Sequence, residues 1–152
     1  MYIKKGLPMQ NYDLAIASDH AGVMLKRKII AALEERKLKI LDLGTDSDEK
    51  VDYPDYANKV VEVIIEETVT LGILICGTGI GMSIAANRSS DIRAALCFNE
   101  FMAERARLHN DANILVLGSK LCDDELSLKM VEIFLKTKFE GGRHLKRLAK
   151  IN

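Results

Sequence analysis

GILICGTGIGMSIAAN, residues 72–87, sets an apolar run of strand length against a glycine-rich turn that opens into a helix-forming segment. A short run apolar on every residue is a strand buried on both faces, and a helix directly after it is the repeating unit of a parallel sheet. The same grammar recurs on either side. YDLAIA, LKILDLG, IRAALC and NILVLG are further short apolar runs bounded by polar or glycine residues, which makes five strands. Between them Leu25, Ile29 and Leu33 share one helical face, as do Val60, Val63 and Ile64, and Met130, Ile133 and Phe134, with Lys, Arg and Glu opposite. Alternating strands and helices predict a three-layer α/β/α fold with a five-stranded parallel sheet and right-handed crossovers. The chain of 152 residues suits a single domain, here placed at 12–152 after a tail at 1–11. GTDSDEKVDYPDYA, residues 44–57, reads as a long polar connection before the second helix.

Composition removes several classes of function. Twenty-two basic residues balance 22 acidic ones, so no overall field draws the chain to nucleic acid or an anionic membrane. No apolar run approaches the ~20 residues of a membrane span, and MYIKKGLPMQ lacks the apolar stretch of a signal peptide, so the expected location is the cytoplasm. Cys76, Cys97 and Cys122 are odd in number and widely spaced, which fits free thiols rather than disulfides or paired metal knuckles.

Ligands of open parallel sheets bind beyond the carboxyl ends of the strands, and the polar motifs of this chain cluster at such ends. Cys76 ends the third strand just before Gly77, Gly79 and Gly81. A small buried hydrophobe is the ordinary account of a cysteine there. A helix N-terminus beside it, however, favours thiolate, and amides unscreened by side chains make an anion hole next to the sulfur. Rival readings fail on spacing. The glycines run G-x-G-x-G with Met82 where a dinucleotide fingerprint needs its third glycine, and the next strand ends in Cys97 rather than an acid. A cysteine phosphatase would need arginine at position 82, and a phosphoacceptor domain would need aspartate at 76; Asp19 and Lys120 stand at other strand ends. A thiol beside an anion hole suits proton abstraction next to a carbonyl, with donors holding the enediolate oxygen that develops.

The remaining polar groups carry two readings each. Arg143 and Arg147, four apart after the flexible EGG, would share a helix face and suit a dianion, or belong to a solvated basic face with Lys146 and Lys150. His20 beside Asp19 is a third anion contact or a helix-start residue capped by Asp19. His109, in RLHNDAN with Asn110, is a surface histidine or a group able to move a proton to a sugar ring oxygen near pH 7.

Taken in order, SDHAG, DYPDYA, CGTGIGMSIAAN, RLHNDANILVLGSK and EGGRHLKR span nearly the whole chain and closely resemble the type B ribose-5-phosphate isomerases. The resemblance implies a Rossmann-like fold and an aldose–ketose isomerase acting on a sugar phosphate without metal or nucleotide cofactor, as a homodimer or a dimer of dimers. Cys76 and its glycine loop from one chain are then expected to meet His109 and Asn110 of the other. It implies Cys76 as the base between carbons 2 and 1, and amides of Gly77, Gly79, Ile80 and Gly81 as the enediolate hole. Thr78 would assist at the hydroxyls and His109 would open the furanose ring. Asp19 would contact the ring end of the sugar, Asn110 a hydroxyl or enediolate oxygen, and Tyr53 the pocket wall. His20, Arg143 and Arg147 would hold the phosphate together with Lys120, where the family often has arginine. Relatives acting on galactose 6-phosphate tend to lack the His-Asn pair and the glycine-arginine tail, both kept here, so ribose 5-phosphate is expected over galactose or allose 6-phosphate and over a non-catalytic sugar-phosphate binder.

Overall fold

The computed structural model describes residues 11–151. The expected tail, apart from Asn11, lies outside the described residues. Five strands alternate with helices: β1 (Leu14–Ser18), α1 (Val23–Glu35), β2 (Ile40–Asp42), α2 (Tyr53–Ile65), β3 (Gly72–Cys76), α3 (Ile80–Ala86), β4 (Ala94–Leu96), α4 (Glu100–Leu108), β5 (Ile114–Gly118), α5 (Asp124–Lys136) and α6 (Leu145–Leu148). Single 3-10 turns, His20–Gly22 and Gly142–His144, precede α1 and α6. The sheet runs β2-β1-β3-β5-β4 with every neighbour parallel. β1, β3 and β5 are buried at all five positions, as their unbroken apolar runs require, whereas the edge strands β2 and β4 are shorter and partly covered.

The two faces of the sheet carry two cores. Leu14, Ile16, Ile73, Ile75, Leu115 and Leu117 alternate onto the side of α1, α4 and α5, where they meet Leu25, Ile29, Leu33, Met130 and Phe134. Ala15, Ala17, Leu74, Cys76, Ile114 and Val116 face α2 and α3 through Ala57, Val60, Val61 and Met82. Small residues on that second face let α2 come close: a Cβ at Gly72 would stand 2.5 Å from Val60 Cγ1. Chain paths diverge between β1 and β3, because β1 leads toward β2 on one side while β3 lies on the other. That switch point opens a crevice beyond the carboxyl ends of β1 and β3.

Three local expectations change. DYPDYA is not loop: α2 begins at Tyr53, with Pro54 in its first turn, where a preset φ helps and no amide partner is lost. Lys26 is not on the solvated face of α1. It is fully buried, its stem packed in the layer between α1 and the sheet, and its ammonium reaches Asp42 at 2.5 Å and Asp46 at 3.3 Å, pinning the loop after β2. Arg143 and Arg147 do not lie on one regular helix: Arg143 sits in the 3-10 turn and Arg147 in the one-turn α6, because Gly141 and Gly142, both at positive φ, break the path after α5.

Candidate active site

Cys76 is the last residue of β3 and is 5% exposed, so its sulfur sits at the floor of the crevice rather than in solvent. The chain after it turns sharply through Gly79, at φ 78, and this turn aims the Gly79 amide back at the thiol: the N–H donates to Sγ at 3.1 Å. An alanine Cβ at Gly79 would come within 2.4 Å of Leu96 Cδ1, so glycine is required there for both conformation and space. The Ile80 amide donates to Thr78 Oγ1 at 3.3 Å, and the exposed side chains of Thr78 and Ile80 flank the turn. Tyr53, at the start of α2, lays its ring over Gly81, where a Cβ would meet the ring at 2.6 Å.

Neighbouring strand ends are stitched to this turn. The Ser119 and Lys120 amides donate to the carbonyls of Cys76 and Gly77 at 2.9 and 3.0 Å, and Ser119 Oγ donates to the Ala21 carbonyl at 2.8 Å. The Lys120 stem lies alongside Gly77, so its ammonium stays on the crevice rim. Asp19 caps the 3-10 turn, accepting from the Ala21 amide at 2.9 Å, and is itself buried. His20 accepts the Val51 amide on Nδ1 at 3.3 Å, which leaves Nε2 as the donor of a neutral ring. Asp19, His20, Tyr53, Cys76, Gly77, Thr78, Gly79, Ile80, Gly81 and Lys120 therefore gather at one end of the sheet.

His109, Asn110, Arg143 and Arg147 gather at the other. α4 runs back against the strands, so His109, its C-cap, lies near the amino end of β5, and the Asn110 carbonyl accepts Arg93 Nε at 2.9 Å just before β4. The segment after α5 returns to the same place: the Glu140 amide donates to the Leu108 carbonyl at 3.0 Å, and the His144 ring stacks on His109 with centroids 4.3 Å apart. Cys76 pairs instead with Gly118, the last residue of β5. A five-residue strand, about 13–17 Å long, separates the two groups within one chain.

Two residues of the second cluster escaped the sequence reading. Glu140 ties Arg143 through Oε1, 2.7 Å from Nη1, and turns Oε2 toward both histidines, 3.9 Å from His109 Nε2 and 3.8 Å from His144 Nε2. His144 is 3% exposed and its Nε2 has no hydrogen-bond partner, a state that costs about 1–3 kcal/mol for a buried polar group. Burial chiefly, then the charges of Arg143 and His109, with Arg147 the weakest, hold the His144 imidazole below its ordinary range against the opposing pull of Glu140. The i to i+4 spacing of Glu140 and His144 was the available signal, but it sits across two glycines where no helix period applies. Ser119 was likewise missed, since a serine beside a strand end carries no distinctive spacing.

Residues 14–151 match the family described as Ribose/Galactose Isomerase. The chain belongs to that family. Within it, a Rickettsia conorii relative provisionally named a sugar phosphate isomerase is 59% identical over 143 residues, covering 94% of this chain and 99% of the relative. A ribose 5-phosphate isomerase structure from Thermotoga maritima superposes with a TM-score of 0.90 at 53% identity, covering 93% of this chain and 97% of that one. The ribose-5-phosphate isomerase B structure from Mycoplasma genitalium, determined with bound ribulose 5-phosphate, has a TM-score of 0.88 at 42% identity over 93% and 94% of the two chains. The parallel Rossmann-like sheet is thus the fold of this isomerase family, and the chain is an isomerase. Among the described residues no helix is long and apolar enough to cross a membrane.

Proposed function

We propose that this isomerase interconverts ribose 5-phosphate and ribulose 5-phosphate through an enediolate, in the pentose phosphate pathway of the cytoplasm and without a cofactor. The observation that carries the reading is the Cys76 sulfur, held on a glycine turn with an amide hydrogen directed at it and a lysine on the rim above. A thiolate so placed takes the proton from carbon 2 of the aldose and returns it to carbon 1. Because the Gly79 amide serves the sulfur and the Ile80 amide serves Thr78, the developing oxyanion falls to the other amides of the turn, those of Gly77 and Gly81. Thr78, Asp19 and Tyr53 hold the sugar hydroxyls and ring end. His20, with Nε2 as donor, and Lys120 face the phosphate.

The sheet topology supports a site shared by two copies of the chain. His109, the group for opening the furanose ring, and Asn110 stand a strand length away from Cys76 in their own subunit, as do Arg143 and Arg147. In a homodimer, alone or paired with a second dimer, one copy presents the thiol end and its partner the histidine–arginine end, so the phosphate is clamped from both sides. The test is a substrate panel: metal-stripped protein with ribose 5-phosphate, allose 6-phosphate and galactose 6-phosphate, compared by kcat/KM. A clear preference for ribose 5-phosphate is expected. A preference for either hexose would reassign the substrate, and binding without turnover of any of the three would reduce the chain to a sugar-phosphate binder.

A further inference from the structure

His109, Glu140 and His144 converge without any of them having a settled partner inside the cluster. Their ligand-type atoms, two imidazole nitrogens and one carboxylate oxygen, lie within 4.8 Å of one another. The Nε2 of His144 is the decisive one: the ring is almost wholly buried, it cannot turn toward water, and that nitrogen meets no hydrogen-bond partner. Glu140 is held from behind, with Arg143 on Oε1 and its own amide on the Leu108 carbonyl, which leaves Oε2 presented to both rings. A carboxylate oriented by an outer donor and aimed between two histidines is the donor set and the support of a divalent transition-metal site.

We propose that His109, Glu140 and His144 bind a borderline divalent cation of the zinc type, and that the bound metal withholds His109 from proton transfer, making the site inhibitory. The binding half stands on the cluster alone; the inhibitory half rests on the proposed role of His109 in opening the sugar ring.

The geometry needs modest closure. Ligand atoms at ~2.0–2.2 Å from a tetrahedral ion are about 3.3–3.5 Å apart. The carboxylate oxygen now stands 3.9 and 3.8 Å from the two nitrogens. His144 is fixed by burial and Glu140 keeps its contact with Arg143, so the closure falls to the 32% exposed side chain of His109 and to a small rotation of the 37% exposed Glu140 carboxylate. The rings now stack with planes 18° apart, so His109 must splay for both nitrogens to face one ion. The fourth position then opens to solvent, as in sites that exchange a ligand. Two charges oppose the cation, the guanidiniums of Arg143 and Arg147 beside His144, and they weaken the site. Imidazole with carboxylate suits zinc or cobalt, whereas magnesium and calcium prefer all-oxygen sites.

The experiment uses metal-stripped full-length protein with Co²⁺ as the spectroscopic probe and Zn²⁺ in competition with a chromophoric chelator. One Co²⁺ per chain is expected, with the visible absorption of a tetrahedral ion and no sulfur-to-cobalt charge-transfer band. Glu140→Gln, a substitution of a partly exposed side chain, and His144→Ala should each weaken binding by about tenfold or more, while Cys76→Ala leaves it unchanged. Absence of stoichiometric binding, affinities within twofold for both Glu140→Gln and His144→Ala, or loss of binding in Cys76→Ala would overturn the site. Zinc should also inhibit ribose 5-phosphate turnover reversibly to chelator, and Glu140→Gln should raise the zinc needed by the same factor as the dissociation constant. Stoichiometric binding with undiminished turnover would overturn the inhibitory half. A wrong isomerase reading shows itself separately, as no turnover in the metal-free protein, and leaves the spectroscopic result standing.

Discussion

Cys76 and Cys97 end β3 and follow β4, and both are buried, yet their surroundings divide their chemistry. Cys76 has an amide hydrogen directed at its sulfur, while Cys97 has only the distant Ala95 carbonyl, 3.6 Å away, and burial pushes its thiol from 9.0 up to about 12. If Cys76 is the proposed base, Cys76→Ala should fold and bind ribulose 5-phosphate within a few-fold of the parent while kcat falls by ~10²-fold or more, since the proposed proton acceptor is removed and the proposed phosphate contacts remain. Retention of more than about a tenth of kcat, against that expectation for a general base, would move the role elsewhere. Cys97 makes a stability statement of the opposite kind. Below pH 9 its thiol is neutral whether the chain is folded or not, but between about 9 and 12 only the unfolded chain ionises it. Stability should then fall with rising pH by up to about 1.4 kcal/mol per unit from this group. Urea unfolding of Cys97→Ala and parent between about pH 9 and 11 checks this, because lysines and tyrosines contribute equally to both. Parallel slopes would mean that the thiol ionises in place.

Among the elements, the turn between β3 and α3 joins a left-handed glycine to the proposed general base. Gly79 takes a left-handed conformation, its Cα faces Leu96 and the Leu117 carbonyl, and its amide reaches the thiol. Gly79→Ala is expected to cost about 1–3 kcal/mol, from forcing a Cβ into positive φ and into Leu96. It should also lower kcat beyond what the stability loss explains, because relieving the clash turns the amide away from the sulfur. Denaturant midpoint and kcat measured together separate the two effects, and unchanged kcat in a destabilised variant would leave the Gly79 amide a purely structural donor. The loop after β2 is secured differently. Lys26 reaches it from within α1, and Val51 in that loop orients His20, so a buried ammonium on one side of the sheet supports an imidazole at the crevice.

For the whole molecule, the separation of the thiol end from the histidine end is what the proposed shared site rests on. Mixing Cys76→Ala with His109→Ala under conditions of subunit exchange should restore activity. Half of the dimers would be mixed, and in each one site carries both lesions and the other neither, so about a quarter of the parent activity should return. Mixtures that stay inactive, although mass spectrometry detects the mixed dimer, would confine both residues to one subunit's site. Arg143→Ala mixed with Cys76→Ala should behave in the same way, since Arg143 belongs to the histidine end.

What the sequence determined by itself was the set of elements and the loop that carries the thiol. Burial on both faces leaves an unbroken apolar run, and a glycine turn leaves its mark within a few residues, so β1, β3, β5 and the Cys76 turn were legible along the chain. Helix starts were less so, because DYPDYA is polar enough for a loop, yet it forms the first turn of α2 with Pro54 near its start and Ala57 buried. The long-range facts belong to the tertiary structure alone. Lys26 looks like any solvated lysine until Asp42 and Asp46 are brought to it, and Glu140 and His144 meet His109 only because α4 and α5 pack side by side. The motif order is silent on how far apart Cys76 and His109 stand within one chain; the antiparallel run of α4 against the strands sets them at opposite ends of the sheet. Periodicity records whether a residue is buried; it does not record what lies across from it, and that is fixed by strand order and crossover direction.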